Sequence, residues 1–220
     1  MFTWQLIAIL SLTLGIISSF VILVDIIRHP QKMKIMNVVW PINGLFFGPF
    51  AIWAYYKWGL LKAKDLEYED NRGEHAKVFM STSHCSAGCT LGDAVGVPIV
   101  ALTGFALFGS LLYGHFIVEF LLAFAFGILF QFYALYPMQK EQGKWHSIKE
   151  ALKADTFSLI AFEVGMFGWM AVVHFALFTE PPKPDSAMYW FMMQIAMILG
   201  FGTSYPANWI LVRKGIKEAM

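Results

Sequence analysis

"MFTWQLIAILSLTLGIISSFVILVDIIRHP", Met1 to Pro30, opens with an apolar run of more than twenty residues that has no Lys or Arg before it. A secretory signal carries a basic start, a shorter apolar core and a small-residue cleavage site. This stretch has none of the three, so it reads as a retained membrane span. About 20 apolar residues suffice to cross a hydrocarbon core of about 30 Å as a helix. Five further blocks of that kind follow, and the six together cover roughly 4–27, 36–57, 94–113, 115–136, 155–178 and 188–212. They are continuously apolar rather than alternating, which argues against a β-barrel. In lipid an unpaired backbone group has no water to turn to, so each block is expected to be helical.

Composition agrees. Of 220 residues, 58% are hydrophobic and 14% charged, whereas soluble domains carry nearer a quarter charged residues. The fold expected is all-α: a single polytopic transmembrane helix bundle over residues 1–220, with the lipid bilayer as its main partner. Six spans are expected. Seven is the alternative, because the run from Lys77 to Tyr113 bears only His84 and Asp93 as acidic or imidazole groups and holds Pro98, which disrupts a helix. A net charge of +1 and no basic, aromatic-interleaved patch exclude nucleic acid as a partner. Monomer and homo-oligomer both stay open.

Loop charges set the orientation of a membrane protein, with Lys and Arg held on the cytoplasmic side. The interval 57–77 carries Lys57, Lys62, Lys64, Arg72 and Lys77; the interval 137–153 carries Lys140, Lys144, Lys149 and Lys153; the tail carries Arg213, Lys214 and Lys217. The loop 179–187 holds only Lys183. With six spans these agree on both termini being cytoplasmic. Arg28, Lys32 and Lys34 dissent, since six spans place them outside. The stretch 61–77 is expected to be a solvated loop or surface helix.

Chemistry concentrates in "HCSAGCTLGD", His84 to Asp93. At 3.6 residues per turn, His84, Cys85, Cys89 and Asp93 share one half of a helix with Gly88, Gly92 and Gly96. A packing reading makes the glycines a face for close approach of a second helix. A functional reading makes Cys85 and Cys89, one turn apart, a grip for one metal ion, with His84 and Asp93 as further ligands or their supports. Thiolates favour soft ions, so copper(I) is expected first, then zinc or iron. Thiol redox is a third reading, although C-x-x-x-C is not the thioredoxin spacing, and C-x-x-C-H, needed for covalent haem, is absent.

Further candidates lie on the later spans. Asp155, Glu163, Met166, Met170 and His174 share an arc of the fifth block. An ionisable group costs several kcal/mol in mid-membrane, of order ~3, so Glu163 is expected to face the interior, and Asp155 either does likewise or caps its helix. Both are expected to balance charge or carry protons. His115 and Glu119, four apart, suit a shared metal or a His–carboxylate pair. On the last block Met193 and Met197 share a face with Ser204 and Asn208. Two one-turn methionine pairs, Met166/Met170 and Met193/Met197, offer thioethers to the same soft ion, although methionine is also ordinary core filling. Pro206 and Asn208 are expected to break that helix.

Three segments, "HCSAGCTLGD", "KADTFSLIAFEVGMFGWM" and "FMMQIAMILGFGTSYPANWILVRKGIKEAM", resemble a family of bacterial integral membrane proteins catalogued as a domain of unknown function. The resemblance runs from about Met80 to the C-terminus. It implies a prokaryotic protein of the inner membrane and assigns no activity, ligand or site. The function expected from the residues is binding and transmembrane handling of a soft transition-metal ion. The alternatives are a membrane redox enzyme using the cysteine pair or a non-covalent haem, and a membrane scaffold or assembly factor.

Overall fold

A computed structural model describes residues 2–59, 72–136 and 144–217. Seven α-helices make up these residues: α1 (Phe2–Arg28), α2 (Met36–Phe47), α3 (Pro49–Ala54), α4 (Glu74–Thr103), α5 (Leu111–Leu135), α6 (Lys144–Val172) and α7 (Ala187–Arg213). A π-helical turn, Tyr55–Gly59, follows α3, and another, Val173–Leu177, ends α6. Among the described residues five helices are long and apolar enough to span a membrane: α1, α4, α5, α6 with its π turn, and α7. The chain is thus a multi-pass membrane protein by helix length and hydropathy. Residues 60–71, most of the expected polar loop, lie outside the described residues.

The expectation of six comparable spans is corrected at the second block. The chain breaks at Gly48, whose φ of 56° and ψ of −136° suit only a glycine. Pro49 then starts α3 at its first turn, where a missing N–H is harmless. Neither α2, with 12 residues, nor α3, with 6, is long enough to span. The two ends of the segment meet instead of lying on opposite faces. Gln31 Nε2 donates to Tyr55 Oη at 3.2 Å, Tyr55 Oη donates to Asp25 at 2.8 Å, and Gly59 packs against the Trp40 indole. The pair therefore enters the bundle and turns back. Its tip needs partners for backbone groups that a broken helix leaves orphaned. Gln194 of α7 supplies one, donating from Nε2 to the Leu45 carbonyl at 2.6 Å while its Oε1 accepts from Ser11 at 2.8 Å. Gly15 and Gly44 let α1 and α2 approach closely enough for this: a Cβ on Gly44 would meet the Ser19 backbone at 2.7 Å.

This hairpin changes where the ends of the chain lie. The Glu74 end of α4 meets the Arg213 end of α7 through a 2.8 Å ion pair, with His75 against Trp209. The C-terminal end of α1 lies at the same end of the bundle, through Asp25, Tyr55 and the Trp58–Phe79 contact. The start of α1 points the other way, toward the start of α7, as Ser11 and Gln194 show. The first residues of α1 and the last of α7 are thus at opposite ends of the bundle. The expectation that both termini share one side is corrected accordingly, because α2 and α3 turn back where a sixth span was expected. We call the two ends the tail end and the far end.

The long run from Lys77 forms one helix, continuous through Pro98 to Thr103, so the seven-segment alternative is not realised. Likewise α7 is unbroken through Pro206 to Arg213, contrary to the expected break. Around its motif α4 is the central helix, with every residue from Val78 to Thr90 buried. Its glycines face α5: a Cβ on Gly92 would collide with the Ala123 backbone, and one on Gly88 would meet Gly127 Cα at 2.9 Å. By contrast α1 leaves Leu6, Ile9, Leu10, Ile16 and Phe20 exposed, as an outer helix facing lipid does.

Candidate functional site

With the glycines of α4 turned to α5, its cysteines turn to α6. Cys85 and Cys89 are fully buried and unoxidised. The Cys85 sulfur lies 3.4 Å from Ser158 Oγ of α6. The Cys89 thiol sits beside that of Cys85 on one side and the Glu163 carboxyl on the other. The packing and the functional readings of the motif are therefore compatible: one helix carries glycines for one neighbour and thiols for another.

His84 is also fully buried. Its imidazole stands edge-on to Phe130 of α5, with 6.2 Å between ring centroids. Neither ring nitrogen completes a hydrogen bond among the described residues, nor do the oxygens of Asp93 and Glu163. Asp93 lies within electrostatic reach of Glu163 of α6 and Glu119 of α5, both of them buried. Buried polar groups in native proteins are nearly always satisfied, and exceptions point to an ion, a water or a functional role.

Polar groups continue from this centre toward both ends. At the far end, His115 Nδ1 pairs with Glu119 Oε1 at 2.8 Å. Both line a cavity of about 220 Å³ with Met170, His174, Lys183 and Tyr189. His174 thus faces a cavity, whereas His146 is exposed on the first turn of α6. At the tail end, Asp155 Oδ1 pairs with Lys217 Nζ at 2.6 Å, and both residues are fully buried. Asn208 Oδ1 accepts from the same ammonium at 2.8 Å, and Ser158 Oγ lies 3.5 Å from it. Ser158 also donates to Asp155, and Ser204 of α7 donates to the Ser158 carbonyl at 2.8 Å.

The expected residues therefore do not gather at one centre. Cys85, Cys89, Asp93 and Glu163 are close together, His115 and Glu119 form a pair near Met170, and Asp155 belongs to the tail-end cluster. Met166, Met193 and Met197 are buried in the same apolar core as both cysteines. Among the described residues no three His, Cys, Asp or Glu side chains form a ready metal cage. Asp155 is no helix cap: it lies eleven residues into α6. Lys217, counted among the tail charges that set orientation, turns inward instead. A signal was present in Gly215, two residues past the end of α7, where glycine commonly turns a chain back on its helix.

A family model described as a domain of unknown function, DUF4396, matches residues 75–217, about two-thirds of the chain. That range takes in α4 from its second residue, α5 to α7 and Lys217, hence the thiols, the three carboxyls and the Asp155–Lys217 pair, and leaves out α1 and the hairpin. No curated protein and no solved structure matches the chain.

Proposed function

The chain belongs to the DUF4396 family, a domain of unknown function, and we propose that it binds a soft transition-metal ion, copper(I) first, and passes it across a membrane. The observation that carries this reading is the buried pair Cys85 and Cys89, one helical turn apart and both free. Zinc in a structural site takes four ligands in a tetrahedron, and no third His, Cys, Asp or Glu joins the two thiols in a metal cage among the described residues. Copper(I) needs no such cage, since two sulfurs hold it and softness selects it. Met166, Met193 and Met197 offer further soft donors on the neighbouring helices.

Binding releases protons, because the ligand is the thiolate. One ion on two thiols frees two protons and leaves the complex with one negative charge. Glu163 stands beside Cys89 to take a proton, and the Lys217 ammonium stands one hydroxyl group away from Cys85 to offset the charge. His115 and Glu119 at the cavity form the far-end approach. The dissenting loop charges support an orientation: with α2 and α3 turning back, Arg28, Lys32 and Lys34 join Lys57, Arg72, Lys144 and the tail at one end, leaving Lys183 at the other. By the positive-inside rule the tail end is cytoplasmic and the start of α1 is outside, in the inner membrane of a bacterium.

Metal content by mass spectrometry tests the reading. Protein purified in detergent, kept reduced and free of chelator, is compared with the Cys85→Ser/Cys89→Ser variant. The reading expects near-stoichiometric copper in the first and none in the second. Metal-free wild type would overturn it. A second reading, thiol redox in the membrane, rests on the same adjacent thiols, and reversible dithiol–disulfide cycling in metal-free protein would favour it.

A further inference from the structure

Lys217 occupies a position that a charge serving only membrane orientation does not need. The chain past α7 turns back through Gly215, whose φ is 65°. Gly215 N–H donates to the Val212 carbonyl and Ile216 N–H to that of Leu211, both at 3.0 Å, the paired bonds of a Schellman turn. This turn aims the next side chain inward. The Lys217 ammonium then joins Asp155 of α6 to Asn208 of α7, its side chain fully buried. One hydroxyl group, that of Ser158, separates it from the Cys85 sulfur. Asp155 Oδ2, buried in the same cluster, completes no hydrogen bond among the described residues, so among them the cluster holds one acceptor more than Lys217 uses.

A buried ion pair adds little net stability compared with apolar packing, yet breaking it strands a charge. Such a pair is suited to holding two arrangements apart. Here one partner sits within a helix and the other just past the glycine that turns the chain after α7. We propose that Lys217 is a gate: its ammonium closes the tail-end route between the Cys85–Cys89 pair and water, and withdrawal of the tail about Gly215 opens it. The ion held by the thiols then has an exit past Ser158 and Asp155, whose oxygens replace the ammonium with the passing cation. This deepens the metal reading and rests on the thiols being the ion's station.

The test uses no metal, so its failure is separable from failure of that reading. The full chain in lipid nanodiscs is exposed to a small cationic methanethiosulfonate, and modification of Cys85 and Cys89 is followed by mass spectrometry. Lys217→Met, made together with Asp155→Asn so that no buried carboxylate is left stranded, is expected to raise the rate at least tenfold, at an unfolding temperature close to that of wild type. Lys217→Arg, which keeps the charge, and Lys214→Met, which removes an exposed charge from the same tail, are expected to react as wild type does. A chain ending at Gly215 repeats the measurement if the double variant does not fold. Wild-type rates in both openings of the tail would overturn the gate, as would a rise that only follows a lowered unfolding temperature.

Discussion

A buried cysteine in apolar surroundings is inert, because nothing stabilises its thiolate. Cys85 and Cys89 lie in the apolar core, yet polar groups of α6 reach both. Ser158 with Lys217 behind it lies on one side of the pair and Glu163 on the other. The thiols themselves were legible in the sequence: they are the chain's two cysteines, set one turn apart among glycines. The inward face of Glu163 was legible too, since a carboxyl at mid-span has nowhere else to go. Their partners were not. Ser158 and Glu163 meet the thiols only because the glycines of α4 are taken by α5, and a sequence does not state how one helix is rotated against another. Lys217 was hidden for a different reason: its position depends on one glycine with positive φ, and charge counting alone makes it a surface residue.

At the scale of helices, the contact of α4 with α5 depends on absent side chains. At Gly92 a Cβ would overlap the Ala123 backbone, which cannot yield as a side chain does. Gly92→Val is therefore expected to destabilise the bundle by about 1–3 kcal/mol or more, the usual cost of overpacking. Gly168→Ala of α6, where a Cβ meets nothing within 4 Å, is expected to be neutral or slightly stabilising, since alanine favours a helix. Thermal unfolding of the two in one detergent checks this; equal midpoints would contradict the packing account. The apolar blocks match α1, α5, α6 and α7, whereas the block 94–113 is placed too late, since its helix runs from Glu74 to Thr103. The block 36–57 was misread because average hydropathy is blind to a reversal. Gly48-Pro49 marks a break that length alone conceals, and Arg28, Lys32 and Lys34 were the sign that a span had been counted where none crosses.

For the whole molecule, five spanning helices and a returning hairpin put the start of α1 and the end of α7 on opposite faces. In the fully assembled membrane a single cysteine at Thr3 is expected to react with an impermeant maleimide added outside, and one at Lys214 only after the membrane is opened. Each would be introduced into the Cys85→Ser/Cys89→Ser background. Equal labelling of both from one side would contradict this topology. Within that frame the polar interior runs from the His115–Glu119 cavity, past Asp93, Glu163 and the two thiols, to Asp155 and Lys217, a path from one end of the bundle to the other.

The central claim is that the thiol pair in the middle of this path holds a soft ion. X-ray absorption at the copper edge of wild-type protein loaded with copper(I) under reducing conditions tests it most directly. Low-coordinate monovalent copper with sulfur neighbours is expected, lost when Cys85 and Cys89 are replaced by serine. A first shell of nitrogen and oxygen, or one unchanged by that replacement, would contradict it.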